Sequence, residues 1–337
     1  MGSETRVAAF ASVSVPLEAV EADDRFRIST GDDAADLAAS IARIGLLHPP
    51  LVVRREGRII LISGFRRFAA CRTLGWRNLP VRLPEKEPSP RECARLAVAE
   101  NAWSRPLNLI EQSRAVGLLA AFSPGGKIDI AEARAAGLRG SEDFLNRIAP
   151  LCRTPEAVQE AILEESISFW TACELAAMPA GEAEALALLF RRLKAGLNVQ
   201  REILTRLREI ALREGISIAS VLESPAVQEL RDDGGSDPNE KTRALRELLR
   251  RRRYPFLSAA EDRFRALLRE LPSAPGLRLQ PPRDFEGKRF SLQLEFETPE
   301  EACSLREKLD ALLGHPVFRT LFEGKSRGYE ADPPSCP

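Results

Sequence analysis

The hydrophobic period changes twice along this chain. Between residues 13 and 83, short apolar runs alternate with amphipathic stretches. Residues 13–28 read as a strand and turn. Asp33 to Leu46 carries Leu37, Ile41 and Ile44 on one face and acids in its first turn, which predicts a helix that Pro49-Pro50 cannot continue. Leu51-Val52-Val53 and Arg58 to Ile62 flank Glu56-Gly57, a hairpin pattern. Ser63-Gly64 turns straight into a second helix, Phe65–Leu74, stopped by Gly75, and Leu79–Leu83 is a further strand. Strands and helices alternating at this spacing predict a compact α/β or α+β unit of about 100 residues.

From residue 90 the period is helical almost throughout. Ser89-Pro90 starts one helix, with proline at the first helical position. Asn108 followed by Glu111 has capping-box spacing, and Asp129 with Glu132 repeats it. Ser141 opens a helix running to Leu151, Thr154-Pro155 opens the next, and helical stretches continue to Gly215. Arg231 to Pro238 has linker composition. Two helices follow, Glu240–Arg253 and Ser258–Leu271, then strands Leu277–Gln280 and Arg289–Phe296, then a helix Pro299–Leu313. Ala331–Pro337 reads as a frayed tail, and there is no internal repeat. The organisation is α+β in three parts: residues 1–105, a helical part 106–231, a linker 232–240, and a C-terminal helical plus strand-strand-helix module 241–330. Tyr254, Phe256 and Phe264 read as core, and Leu292, Leu294 and Phe296 alternate to one face of the second C-terminal strand.

Charge narrows the function classes. The 337 residues carry 49 Lys+Arg and 49 Asp+Glu, which excludes a generally basic nucleic-acid coat but not a local basic patch. Of the basic residues 42 are arginine, so a single arginine says little and only clustering counts. Residues 54–82 cluster strongly, with eight arginines against Glu56, whereas residues 1–53 are net acidic. No apolar run approaches a membrane span, no signal core opens the chain, and six dispersed cysteines form neither a disulfide framework nor a zinc pattern, so the cytoplasm is expected. Two histidines, His48 and His315, leave little room for a histidine triad.

The sharpest local feature is strand–Ser63-Gly64-Phe65-Arg66-Arg67–helix. A helix N-terminus offers unpaired N–H groups and partial positive charge, glycine permits close approach, and two guanidinium forks suit phosphate oxygens. These make a phosphate cradle, with a tight turn bearing two solvated arginines as the plain alternative. It is not a Walker loop, because G-x-x-x-x-G-K-[ST] is absent. The second feature is Glu100-Asn101, followed by Arg105, Asn108 and Glu111. A carboxylate beside an amide can hold Mg²⁺ and phosphate oxygens, or be an ordinary helix end.

Taken together these blocks resemble the N-terminal domain of ParB-type chromosome and plasmid partition proteins. "SVPLEAVEADDRFRI" resembles the family's opening strand and turn. "DLAASIARIGLLHPPLVVR" resembles the helix–strand before the site, "GRIILISGFRRFAACRTLGWRNLPVRL" its G-E-R-R box, and "AVAENAWSRPLNLIEQSRAV" its E-N-x-x-R-x-x-L-N-P-I-E box. The resemblance covers residues 13–122 and implies a ParB/sulfiredoxin-like α/β domain that binds CTP with Mg²⁺, with slow CTP hydrolysis resetting a DNA clamp. It implies that Ser63, Gly64, Arg66 and Arg67 hold the triphosphate. Glu100 and Asn101 would contact Mg²⁺ and phosphate, with Glu100 the catalytic group and Arg105 beside them. Gly45, His48 and Pro49 would lie near cytosine or ribose. Phe65 stands in place of the Glu of G-E-R-R, Ser104 in place of an Arg, and Leu109 in place of a Pro. Phe65 also takes the position of sulfiredoxin's catalytic cysteine, which argues against sulfinic-acid reduction. Cys71, inside the following helix, reads as packed.

The resemblance further implies a helix-turn-helix in "DIAEARAAGLRGSEDFLNRIAPL", with Ser141–Leu151 as the reader and Leu145, Ile148 and Leu151 facing the core. DNA contacts would fall to Ser141, Asn146 and Arg147. Residues 127–165 are nevertheless net acidic, which opposes phosphate neutralisation. Arg250, Arg251, Arg252 and Arg253 form a second basic run that could contact DNA or be a solvated face. The expected function is therefore DNA binding in chromosome or plasmid partition, switched by CTP, with a homodimer, a ParA-type ATPase partner and a nucleoid-associated location. The alternative is a ParB-like regulatory or protein-interaction module without sequence reading.

Overall fold

The computed structural model describes residues 9–31, 34–233, 235, 237–287 and 289–323; the frayed tail expected at 331–337 lies outside them. The chain separates into two units. One holds residues up to Leu204 with Ser217–Thr242, the other Thr205–Ile216 with the chain from Arg243 onwards.

The first unit begins with β1 (Phe10–Pro16), β2 (Val20–Ala22), α1 (Ala35–Ile44), β3 (Leu51–Arg55), β4 (Arg58–Ser63), α2 (Phe65–Thr73) and β5 (Asn78–Pro84). The strands form one sheet in the order β1-β5-β3-β4-β2. β1 runs antiparallel to β5, β3 antiparallel to β4, and β2 and β4 pair in parallel. The β3–β4 hairpin closes through Glu56 at φ 53° and Gly57 at φ 79°. Two successive positive φ values are the two-residue turn whose twist matches the flanking strands. Leu61, Ile62, Leu79, Val81 and Val52 are fully buried, and each large aliphatic so placed stabilises the sheet by about 1.5–3 kcal/mol. α3 (Pro90–Ala102) packs against β4 through buried Ala94, Ala97 and Val98.

The predicted caps form. Ser89 and Glu92 make a reciprocal capping box at α3, and Asn108 and Glu111 make another at α4 (Leu109–Ala121). The third cap forms by half. Asp129 accepts from the N–H groups of Ala131 and Glu132 at the start of α5 (Ile130–Ala135), but the Glu132 carboxylate turns away to Arg91 at 2.5 Å. α6 (Glu142–Ile148) follows, and Leu145, Ile148 and Leu151 are buried as its periodicity requires. α7 (Glu156–Leu163), α8 (Phe169–Ala176), α9 (Ala180–Leu193), α10 (Leu197–Glu214), α11 (Ile218–Leu222) and α12 (Pro225–Asp232) complete the helical region. α12 runs into the acidic-glycine stretch and the next helix starts at Pro238, so the expected 232–240 linker is shorter than its composition suggested.

The second unit contains α13 (Pro238–Arg253) from Arg243 on, α14 (Pro255–Glu270), β6 (Leu277–Gln280), β7 (Ser291–Leu294), α15 (Pro299–Gly314) and α16 (Pro316–Glu323). β6 and β7 pair antiparallel. Phe264 and Leu271 centre a small core with Leu267, Leu268, Phe285 and Phe290. Phe264 is core as predicted. Phe256 is not: at 90% exposure, on the first turn of α14, it points to solvent. β7 is shorter than the predicted 289–296, and Leu292, Leu294 and Phe296 are all exposed. No helix among the described residues is long and apolar enough to cross a membrane.

Candidate functional site

β4 ends at Ser63, which is buried, and Gly64 caps α2 in the left-handed conformation at φ 91°. A Cβ there would stand 3.0 Å from Pro50 Cα and 3.1 Å from Arg67 Nη2. The turn is therefore both conformationally and sterically glycine's. It presents the N–H groups of the first turn of α2, with Arg66 exposed and Arg67 half-buried beside them. A cavity of about 240 Å³ opens onto this turn, lined among others by Gly64, Arg66, Arg67, Asn101 and Arg105. A second of about 760 Å³ lies alongside, lined by His48, Pro49, Arg82 and Trp103, and the two share Arg67 and Glu100.

The structure brings the sequence candidates of residues 45–105 together. Gly45, at φ 84°, ends α1 and its N–H donates to Ile41 O. The following turn is tethered by Arg67, whose Nη1 donates to the carbonyl of His48 at 2.6 Å and of Pro49 at 3.4 Å. Arg67 Nη2 donates to Glu100 Oε1 at 3.2 Å, and Arg82 Nη2 donates to Glu100 Oε2 at 2.5 Å. Asn101 Nδ2 donates to Ala97 O at 2.8 Å and reaches Ser63 Oγ at 3.4 Å. Arg105 lines both cavities while its guanidinium forks onto Glu111, with Nη1 on Oε2 at 2.6 Å and Nη2 on Oε1 at 2.7 Å.

Glu111 is the best-satisfied carboxylate of the region. It is 2% exposed and accepts from Arg105 and from the backbone N–H groups of Thr30 and Asn108. Burial pushes its pKa up, but Arg105 and the two N–H groups outweigh burial and hold it below the ordinary glutamate range. Burial pushes the Cys71 thiol up as well, in keeping with a packed rather than reactive cysteine.

Arg82 was missed by reasoning on motifs. It had a signal: in Asn78–Pro84 it lies one residue out of phase with the buried Leu79 and Val81, so it sits on the other face of β5. Trp103, 69% exposed at the end of α3, was likewise overlooked.

The other DNA candidates lie elsewhere. Ser141 caps α6 through Phe144 N–H, and Ser141, Asn146 and Arg147 are exposed, beside exposed Glu142 and Asp143. In the second unit all four arginines of the 250–253 run are ion-paired. Arg250 bonds Glu247 and Glu261, Arg251 bonds Glu247, Arg252 bonds Glu214 at 2.7 Å, and Arg253 bonds Glu209 at 2.8 Å.

A glycine turn at a strand–helix junction of a small mixed sheet, with an Arg–Glu–Arg bridge at its rim, is an arrangement that a phosphate group would suit. Residues 4–102 match the ParB N-terminal domain family. The nucleoid occlusion protein of Bacillus licheniformis is 32% identical over 169 residues, 49% of this chain and 57% of that protein. The matched segment thus spans little more than half the length of such relatives. Two solved structures of the C-terminally truncated chromosome-partitioning protein ParB from Caulobacter crescentus are also similar. The complex with CTP-gamma-S shares 23% identity, with a TM-score of 0.26, over 53% of this chain and 98% of that one. The complex with the centromeric parS site shares 19%, with a TM-score of 0.33, over 62% and 96%. Residues 4–102 are thus the part of this chain that matches the ParB N-terminal domain family.

Proposed function

We propose that this chain binds a nucleoside triphosphate, CTP by its family resemblance, together with Mg²⁺ at the Gly64 turn, and that the bound state governs a DNA-binding protein of chromosome or plasmid partition or nucleoid occlusion. The observation that carries this reading is the Gly64 cradle. Its left-handed glycine, pressed on Pro50, faces a cavity bordered by Arg66, Arg67 and Asn101. The residues fit a phosphate chain, whose charge would be met by helix N–H groups and guanidinium forks. They also fit Mg²⁺ of the kind held mostly by phosphates. Among the described residues no three His, Cys, Asp or Glu side chains group as a metal site, and Glu100 is the one carboxylate lining either cavity. Glu100 and Asn101 would hold the ion, which supplies charge compensation for the phosphates. Gly45, His48 and Pro49 border the larger cavity or its adjoining turn, where base and ribose would lie.

DNA binding, a homodimer, a ParA-type ATPase partner and nucleoid association belong to the same proposal. Ser141, Asn146 and Arg147 are its reader candidates on α6. A second reading, a ParB-type regulatory module without sequence reading, is favoured by one observation: Glu142 and Asp143 are exposed in the first turn of the reader helix, where they would repel phosphates.

Calorimetry with CTP, ATP, GTP and UTP in Mg²⁺ tests the nucleotide reading. CTP binding weakened by about 1.5–3 kcal/mol in Arg66→Ala supports it. The absence of binding by all four at millimolar concentration rejects it.

A further inference from the structure

Among the described residues Glu100 is the only acidic one lining the two cavities, and it is held from two sides by guanidinium groups of different origin. Arg67 comes from the first turn of α2, inside the Gly64-Phe65-Arg66-Arg67 turn; Arg82 comes from β5, 15 positions beyond that turn. Arg82 is fixed by its backbone, since its N–H donates to Pro50 O at 2.8 Å. Its guanidinium lies 5.9 Å from the centre of the Phe10 ring. Its Nε is buried and has no hydrogen-bond partner. A buried donor without an acceptor is disfavoured, so Arg82 lacks one acceptor while lining the larger cavity, which adjoins the Gly64 cavity and shares Arg67 and Glu100 with it. Glu100 satisfies Nη2, Nε is sealed from solvent, and Nη1 makes no hydrogen bond among the described residues. A phosphate group, with three oxygens, can satisfy a whole fork where this carboxylate oxygen satisfies one edge.

We propose that Arg82 is an additional phosphate-binding residue of this site, held in reserve by Glu100. In the ligand-free protein the Glu100 carboxylate is an internal anion that occupies Arg67 and Arg82. On nucleotide binding Glu100 leaves the two guanidinium groups, phosphate oxygens replace it on them, and the carboxylate becomes available to the metal. Glu100 thus competes with nucleotide when Mg²⁺ is absent and assists it when Mg²⁺ is present. This rests on the nucleotide reading of the Gly64 turn.

The test is calorimetric titration of the full chain with CTP, once in Mg²⁺ and once in EDTA, with thermal midpoints recorded for each variant. Arg82→Gln should weaken binding in Mg²⁺ about tenfold, and Arg82→Lys should recover part of the loss. Glu100→Gln should tighten binding in EDTA several-fold, because the competing anion is gone, and should lose most of the Mg²⁺-dependent gain. The double variant Arg82→Gln/Glu100→Gln should lose that tightening. A merely structural Arg82–Glu100 pair would lower the midpoint of both variants and leave EDTA affinity at or below wild type. If wild type and Arg66→Ala behave as the nucleotide reading requires, but Arg82→Gln binds like wild type and Glu100→Gln gains nothing in EDTA, this inference is overturned and the site reading stands. If wild type binds no triphosphate, both fall together.

Discussion

Removing the Glu111 carboxylate should loosen the join between the sheet domain and α4 more than any other single change in this region. Glu111 is buried, closes the capping box on Asn108, receives the Arg105 fork, and accepts the N–H of Thr30 from a segment 81 positions away. Breaking a buried ion pair costs about 3–5 kcal/mol when one charge is stranded. Here the Arg105 side chain is 40% exposed and can rehydrate, so Glu111→Ala should sit at the low end, about 3 kcal/mol including the lost cap. At about 2–4 °C per kcal/mol the midpoint should fall roughly 6–12 °C. Glu111→Gln keeps an oxygen for the backbone N–H groups and should lose about half as much. The depressed pKa gives a second signature. A carboxylate whose folded pKa lies below its unfolded value contributes stability that is fully present above the ordinary value of 4.5 and is lost as pH falls through the folded value. Wild type should therefore lose stability relative to Glu111→Gln as pH drops below about 4.5. Thermal melts from pH 7 to 3 and hydrogen exchange at Thr30 read both effects. A Glu111→Ala midpoint within 2 °C of wild type, with Thr30 still protected, would refute the reasoning.

Three further outcomes are expected. Gly64→Ala must place an alanine at φ 91° with its Cβ against Pro50 and Arg67, a strain of about 1–3 kcal/mol; thermal melts should show the loss and calorimetry should show CTP affinity lost with it. Burial pushes the Cys93 thiol up to about 11 and raises that of Cys71, while Cys303 is exposed. Alkylation at pH 8 followed by mass spectrometry should therefore label Cys303 well before the other two. Replacing Arg250 to Arg253 with glutamine breaks their bonds to α10 and α14 and should lower the midpoint. If DNA affinity, measured by anisotropy alongside, is unchanged, the run has no DNA role.

Local structure was legible where a residue's task is local. The Ser89-Pro90 helix start, the Asn108–Glu111 box, the Glu56-Gly57 hairpin and the Gly64 turn follow from spacing alone, because each is satisfied within a few residues. What spacing could not show is where a charged side chain ends up. Glu132 has the spacing of a capping glutamate but goes to Arg91, 41 positions away, since a buried carboxylate gains more from a guanidinium fork than from one N–H. Arg82 looked like one more member of an arginine-rich stretch until β5 placed it beside Glu100. α12 extends through Asp232 despite linker composition, because Val227 is buried and anchors the helix. Phe256 failed as a core prediction because hydrophobicity does not tell which face of α14 will be covered.

Counting charge along a sequence and reading the charge a molecule presents are different operations, and for the DNA role the difference decides. The 250–253 run is the densest positive stretch of the chain, yet in the fold it binds Glu209 and Glu214 on α10, Glu247 on α13 and Glu261 on α14. Those pairs join three helices, and a guanidinium engaged by a carboxylate neutralises a phosphate only by giving up that bond. The 54–82 cluster behaves differently. There Arg67 and Arg82 share a single carboxylate, Glu100, so this trio keeps a net positive charge at the cavities. By this reasoning the Gly64 turn is a better candidate for meeting an anion than α6, whose first turn carries exposed Glu142 and Asp143. The salt dependence of DNA binding measures the difference. A slope reporting several released counterions requires phosphate contacts from arginines outside the 250–253 run, whereas a shallow slope matches the carboxylates that already occupy that run.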